Sequence, residues 1–197
     1  MNQPTPNPEK WSENVIIVDA DHVDRVAFDL IVNFERMIGR RIPAADMARW
    51  LECIALDGGV REGKNNIHTI LIHNKDSRKL NNFMPGDFEK DIDGKAFQSN
   101  LGEFTMAAVT VEEMVTKERL LTDIVQFIGS RPEVKRLMVV PDDETTYESV
   151  RKALHHASPD LHAMLFAMQP MPGGNFKQEI LGYSLMSALG IGADEIR

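Results

Sequence analysis

Two short apolar runs in this chain each end in carboxylates. Val15-Ile16-Ile17-Val18 leads into Asp19 and Asp21, and Leu137-Met138-Val139-Val140 leads through Pro141 into Asp142, Asp143 and Glu144. Such runs read as buried strands, and in open α/β sheets ligands and metals gather at the carboxyl ends of strands. If both strands are parallel and central, their acids approach one another at one edge of the sheet. Hard divalent cations such as magnesium or manganese take oxygen ligands of this kind and retain waters that can attack a phosphate. Asp123, on the face of a later helix, could supply a further ligand. The same acids also suit plainer work, because an Asp between a strand and a helix is an ordinary N-cap, and Asp21 and Asp143 require no other explanation.

The elements that must position these residues alternate along the chain. A strand over Asn14–Asp19 is followed by Val23, Val26, Ala27, Leu30, Ile31, Phe34, Met37 and Ile38, one face of a helix with Asp21 as its N-cap and Gly39 as its stop. Asp24, Arg25, Asp29, Asn33 and Arg36 occupy the rest of that helix and read as its wet face. A second helix follows Pro43, turns Met47, Trp50, Leu51 and Ile54 inward and ends at Gly58-Gly59. Residues 67–73 form the second strand, residues 74–82 are abruptly polar, and residues 83–101 read as a long connection with one short helix.

Residues 103–109 supply a third strand. Thr110-Val111-Glu112-Glu113 fits a capping box, and the stripe Leu120, Leu121, Ile124, Phe127 and Ile128 belongs to a helix that begins either at Val111 or after Thr116. The fourth strand, Arg136–Val140, precedes a helix from Thr146. A fifth strand over residues 161–168 precedes a last helix with Ile180, Leu181, Leu185 and Ala188 turned inward. This order predicts an α/β three-layer sandwich with a mostly parallel central sheet of about five strands, because parallel neighbours need crossover connections.

Composition bounds the function. With 197 residues and 43% apolar content, the chain supports one globular domain over residues 14–197, preceded by a polar, Pro-rich lead-in over residues 1–13 that reads as flexible. No apolar run is long enough for a membrane-spanning helix or a signal peptide, which predicts a cytoplasmic protein without a membrane partner. Cys53 is the only cysteine, so no internal disulfide can form. A net charge of −8 argues against broad nucleic-acid binding while leaving room for a local basic groove. The six histidines do not make a zinc spacing, and no phosphate-cradling glycine motif supports a nucleotide cofactor. Met164, Met168, Met171 and Met186 read as core filling, and with the apolar last helix they also suit self-association through the carboxyl-terminal segment.

Across residues 14–168 the chain resembles the PIN-like nucleases, a Rossmann-like fold, and in particular their NYN branch. In that branch an apolar strand ends in Asp-x-x-Asn, a central helix begins with Lys-Gly-Val-Asp and carries a second Asp six residues on, and a later strand ends in Ser-Gly-Asp-x-Asp. Asp19 matches the first acid, with His22 in place of the Asn. Asp123 stands where the second helical Asp belongs, with Lys117 at the place of the first. Pro141-Asp142-Asp143-Glu144 keeps both acids of the last motif without its Ser-Gly lead. The resemblance implies an RNA-cleaving enzyme with magnesium or manganese held by Asp19, Asp142 and Glu144, with Asp123 in support. Lys117 among those ligands would repel a cation or stand in for its charge, and the implied alternative is a non-catalytic interaction domain.

A second resemblance, to haloacid-dehalogenase-like phosphohydrolases, uses the same residues differently. Asp19 would be the nucleophile, Asp21 the general acid, Lys117 the cation that steadies the phosphoryl group, and Asp142 and Asp143 the magnesium ligands. His73-Asn74 stands where that family has Ser or Thr, and a long helical stripe begins where it has a small flap. The early helix, the polar connection after His73 and the spacing to Asp123 favour the NYN-like reading.

Overall fold

The computed structural model describes residues 10–196. Its first strand, β1 (Asn14–Asp19), lies at the centre of a seven-stranded sheet, with Val15, Ile16, Ile17 and Val18 wholly buried. Alternation sends Ile16 and Val18 to one face and Val15 and Ile17 to the other. An apolar run without a polar gap is what a strand covered on both faces requires.

The helix α1 (Ala20–Ile38) follows β1 without a loop, and then come β2 (Ala45–Asp46), α2 (Met47–Asp57), β3 (Asn65–His73) and β4 (Phe83–Met84). A single π-type turn at Phe88–Ile92 leads to β5 (Lys95–Ser99), β6 (Gly102–Thr110), α3 (Lys117–Gly129), β7 (Arg136–Val140) and α4 (Tyr147–Ala153). The chain finishes with β8 (His162–Ala167), β9 (Lys177–Ile180) and α5 (Leu181–Ala188), before a short 3-10 turn. The strand order is β5-β6-β3-β1-β7-β8-β9, parallel throughout except for the β5–β6 pair, and β2 and β4 form a separate small sheet. Apolar residues of α1, α2 and α5 pack on one face and those of α3 and α4 on the other, which gives three layers. From β1 the chain steps outward through β3 to β6 and then returns to the opposite flank of β1 as β7. The boundary between β1 and β7 is therefore a topological switch point, the place where open α/β sheets leave a crevice. Among the described residues no helix is long and apolar enough to cross a membrane.

The sheet has seven strands rather than about five, and both additions lie at its edges. β5 pairs antiparallel with β6 inside the stretch expected to be irregular, and β9 stands where the last helix was expected to begin, so that Ile180 ends a strand instead of facing inward from a helix. Two helix starts also differ: Asp19, not Asp21, caps α1, and Asp46, not the Pro43 region, caps α2. Of the two starts open for α3 the structure takes the later, with Thr116 as its cap. Thr110 and Val111 are unavailable to the expected capping box because they continue the sheet, with Val111 N–H donating to His73 O at 2.9 Å.

The β5–β6 hairpin depends on Gly102. Its φ of +132° is accessible to glycine, and a Cβ there would lie 1.9 Å from Asn65 O on the neighbouring strand. Gly102→Ala is expected to cost at least ~2 kcal/mol, through backbone strain and displacement of β6 from β3. A urea denaturation curve with a correspondingly lower midpoint checks this, and an unchanged midpoint would contradict the close approach.

Candidate functional site

The register of β1 with β7 pairs Val18 with Val140, so Asp19 and Asp142 leave adjacent strands at the same edge. Asp19 is 1% exposed, and its Oδ1 accepts the His22 N–H at 3.2 Å, the cap that lets α1 begin at once. The same oxygen accepts a hydrogen bond from Lys117 Nζ at 3.1 Å, and Lys117 also donates to Asp21 Oδ2 at 2.8 Å. Asp21 Oδ2 in turn accepts the Asn74 N–H at 2.7 Å. Lys117 is the first residue of α3, and the Thr116 side chain that fixes this start accepts the Arg119 N–H at 3.1 Å. One ammonium thus joins the end of β1, the first turn of α1, the loop after β3 and the start of α3.

A second cluster lies beside the first. Asp142 Oδ1 accepts the N–H groups of Glu144 and Thr145 at 2.9 and 3.2 Å, and its Oδ2 accepts from an Arg25 guanidinium nitrogen at 2.9 Å. His22 stands between two acids, with Nδ1 3.5 Å from Asp142 Oδ2 and Nε2 3.5 Å from Asp143 Oδ1. The other Asp143 oxygen accepts the Met168 N–H at 2.9 Å. His22 Nε2 and Asp143 Oδ1 are both buried, and neither finds a hydrogen-bond partner among the described residues.

Two acids here titrate below the usual carboxylate range. Burial alone would raise Asp21, but the Lys117 hydrogen bond, the Asn74 N–H and the Ser77 side chain outweigh it. Burial would likewise raise Asp142, and the Glu144 N–H, the His22 charge, the Thr145 N–H and Arg25 together reverse the direction.

The structure brings together Asp19, Asp21, Asp142 and Asp143, with Lys117, His22 and Arg25 among them. It does not bring Asp123, which pairs with Arg119 at 3.2 Å on the wet face of α3 and has a side chain 55% exposed. Glu144 reaches the cluster through its backbone N–H, and the residue itself is exposed. These residues do not fit a divalent cation. An ammonium already holds Asp19 and Asp21, a guanidinium holds Asp142, and both of these charges would repel a metal. Among the described residues, no group of three or more His, Cys, Asp or Glu side chains is gathered so as to hold one. The residue that sequence reasoning missed is Arg25, read as part of a wet face. Its spacing of three from His22, which puts both on one side of α1, was the available signal.

The pH dependence has a defined sign. Asp142 is depressed in the folded state, so its contribution to stability is complete above the ordinary value of 3.8 and is lost as pH falls through the lower folded value. Asp142→Asn is expected to be less stable than wild type at pH 6 and to show a shallower loss of stability below about pH 4. Denaturant unfolding across that window checks the sign, and parallel curves would show that Asp142 is not depressed.

Neither the curated proteins nor the solved structures include a match to this chain. A family model does match, over residues 8–196, and on that coverage the chain belongs to the Family of unknown function (DUF6621).

Proposed function

We propose that this chain is a non-catalytic, PIN-like interaction domain whose inherited acidic edge works as an internal clamp rather than as a nuclease site. The observation that carries this reading is the placement of the Lys117 ammonium, 3.1 Å from Asp19 Oδ1 and 2.8 Å from Asp21 Oδ2. It stands where a two-acid metal site would need its cation, and it is delivered by the start of a helix rather than by a mobile loop. The strand order supports a Rossmann-like relation to PIN domains, although fold alone does not carry function.

The phosphohydrolase reading has one observation in its favour, since Lys117 touches both Asp19 and Asp21 as the steadying cation of that family would. Two features weigh against it. Asp19 is 1% exposed, whereas a nucleophile must meet its substrate, and α1 begins at Ala20 with no room for a flap between.

Incubation with manganese and single-stranded RNA is expected to give no cleavage above an Asp19→Asn control, and beryllofluoride is expected to leave Asp19 unmodified. Metal-dependent cleavage that is abolished in the control would sink the proposal. The clamp also makes a thermodynamic claim. Removing one partner of a buried pair leaves an uncompensated charge, so Lys117→Met is expected to cost about 3 kcal/mol. Adding Asp19→Asn to Lys117→Met is expected to recover part of that loss, and a double-mutant cycle with no coupling would show that the two groups do not act together.

A further inference from the structure

The opposite, amino-terminal edge of the sheet gathers cations. β7, β8 and β9 run parallel, with Arg136 in register with His162 and Met164 in register with Lys177. Residues in register on adjacent strands point to the same face, and side chains two apart on a strand do too, so Arg136, His162 and Lys177 share one face with Met164. That face is the one covered by α2, which stops short above them at Gly58 and Gly59. A Cβ on Gly59 would lie 3.4 Å from Arg136 Nε, and one on Gly58 would lie 2.4 Å from Met138 Cγ. Arg61 follows, its Nη1 donating to Leu56 O and Val60 O at 3.1 Å and so occupying carbonyls at the end of α2. Arg61, Arg136, His162, Phe176 and Lys177 line an open pocket of about 490 Å³.

Among the described residues none of Arg61, Arg136, His162 and Lys177 is ion-paired with an acid. The side chain of half-buried Arg136 makes one hydrogen bond among the described residues, at a long 3.4 Å, to the neutral Asn14 Oδ1. Asp57, the acid that lines the pocket, faces another acid instead: burial, and then the charge of Glu179, push its carboxyl up to about 6. Unpaired cations converging on one space in a chain of net charge −8 are a complementary surface for an anion.

We infer that this pocket binds the phosphate of a small phosphate monoester, with Arg136 and Lys177 holding the oxyanion and Met164, on the same face, taking the apolar remainder of the ligand. A doubly charged oxyanion can engage several cations at once, and the guanidinium fork matches its oxygens. The space exceeds what inorganic phosphate fills and suits a small organic ligand. Because the pocket lies at the far end of the strands from Asp19, the inference is independent of whether the acidic edge is a clamp.

The test titrates the full chain with phenyl phosphate and with inorganic phosphate while amide resonances are followed. Saturable shifts of the Gly58, Gly59 and Lys177 amides are expected, with phenyl phosphate the tighter ligand. Arg136→Gln and Lys177→Gln are each expected to weaken phenyl phosphate about tenfold, the effect of losing one charge-assisted contact. Asp57→Asn, which removes the opposing carboxylate, is expected to tighten it. Lys177 is exposed at a sheet edge, so its variant reports on binding even if Arg136→Gln disturbs the fold. Absence of saturable shifts, or unchanged affinity in Lys177→Gln, would overturn the site. Equal affinity for the two ligands would overturn the assignment to an organic monoester.

Discussion

The contact between Lys117 and the buried Asp19 is the constraint around which the carboxyl edge is arranged. β1 is covered on both faces, and α1 begins at the residue after Asp19, so this carboxylate has no route to bulk water. A buried carboxylate is costly unless it is paired and hydrogen-bonded. The His22 N–H and the amino-terminal end of the α1 dipole offset part of that cost, and the ammonium of Lys117 supplies the opposite charge. Holding Lys117 there fixes where α3 starts, and α3 is the element that carries the chain back across the sheet from β6 to β7. The pair and the crossover therefore depend on each other.

The same logic extends along the first two turns of α1. Asp21 accepts the Asn74 N–H, and Asp24 accepts the N–H groups of Asn81 and Asn82 at 3.1 and 2.8 Å, so both ends of the polar connection after β3 are tied to this helix. His22 and Arg25 reach the other way, toward the Asp142 and Asp143 loop. A polar connection can stay ordered without an apolar core of its own when its backbone donors find fixed acceptors. Charges on the α1 surface that resembled a solvated face are thus the acceptors and donors that anchor two loops.

Elements whose side chains repeat on a buried face were legible in the sequence. The bounds of β1 and β7 follow from unbroken apolar runs, and the end of α1 follows from Gly39, whose φ of 76° terminates the helix in the left-handed region. The edge strands were not legible for a related reason. β5 and β9 are largely exposed, so Lys95, Gln98, Lys177 and Gln178 do not alternate with apolar residues, and their strand state comes from pairing with β6 and β8 alone. In the site, Asp19 and Asp142 were legible because they end buried strands. Asp123 misled because its spacing from Lys117 matched a motif, whereas six residues along a helix rotate the side chain well away from the face that Lys117 presents to Asp19. Spacing identifies candidates, and the helix period decides which of them can meet.

The two edges of the sheet differ in what they leave for another molecule. At the carboxyl edge Asp19, Asp21 and Asp142 each have a cationic neighbour within 3.1 Å, so an incoming metal or basic group would have to displace a bond already made. At the amino-terminal edge the cations of β7, β9 and the loop after α2 have no acidic partners among the described residues, and an anion arriving there would break no ion pair. Binding draws on interactions that the free protein has not satisfied internally, which makes a neutralised cluster a poor guide to ligands however chemical its residues look. The acids that dominate the sequence are for that reason the less promising edge, and the unpaired arginines, scattered through the chain and assembled only by parallel register, are the more promising one.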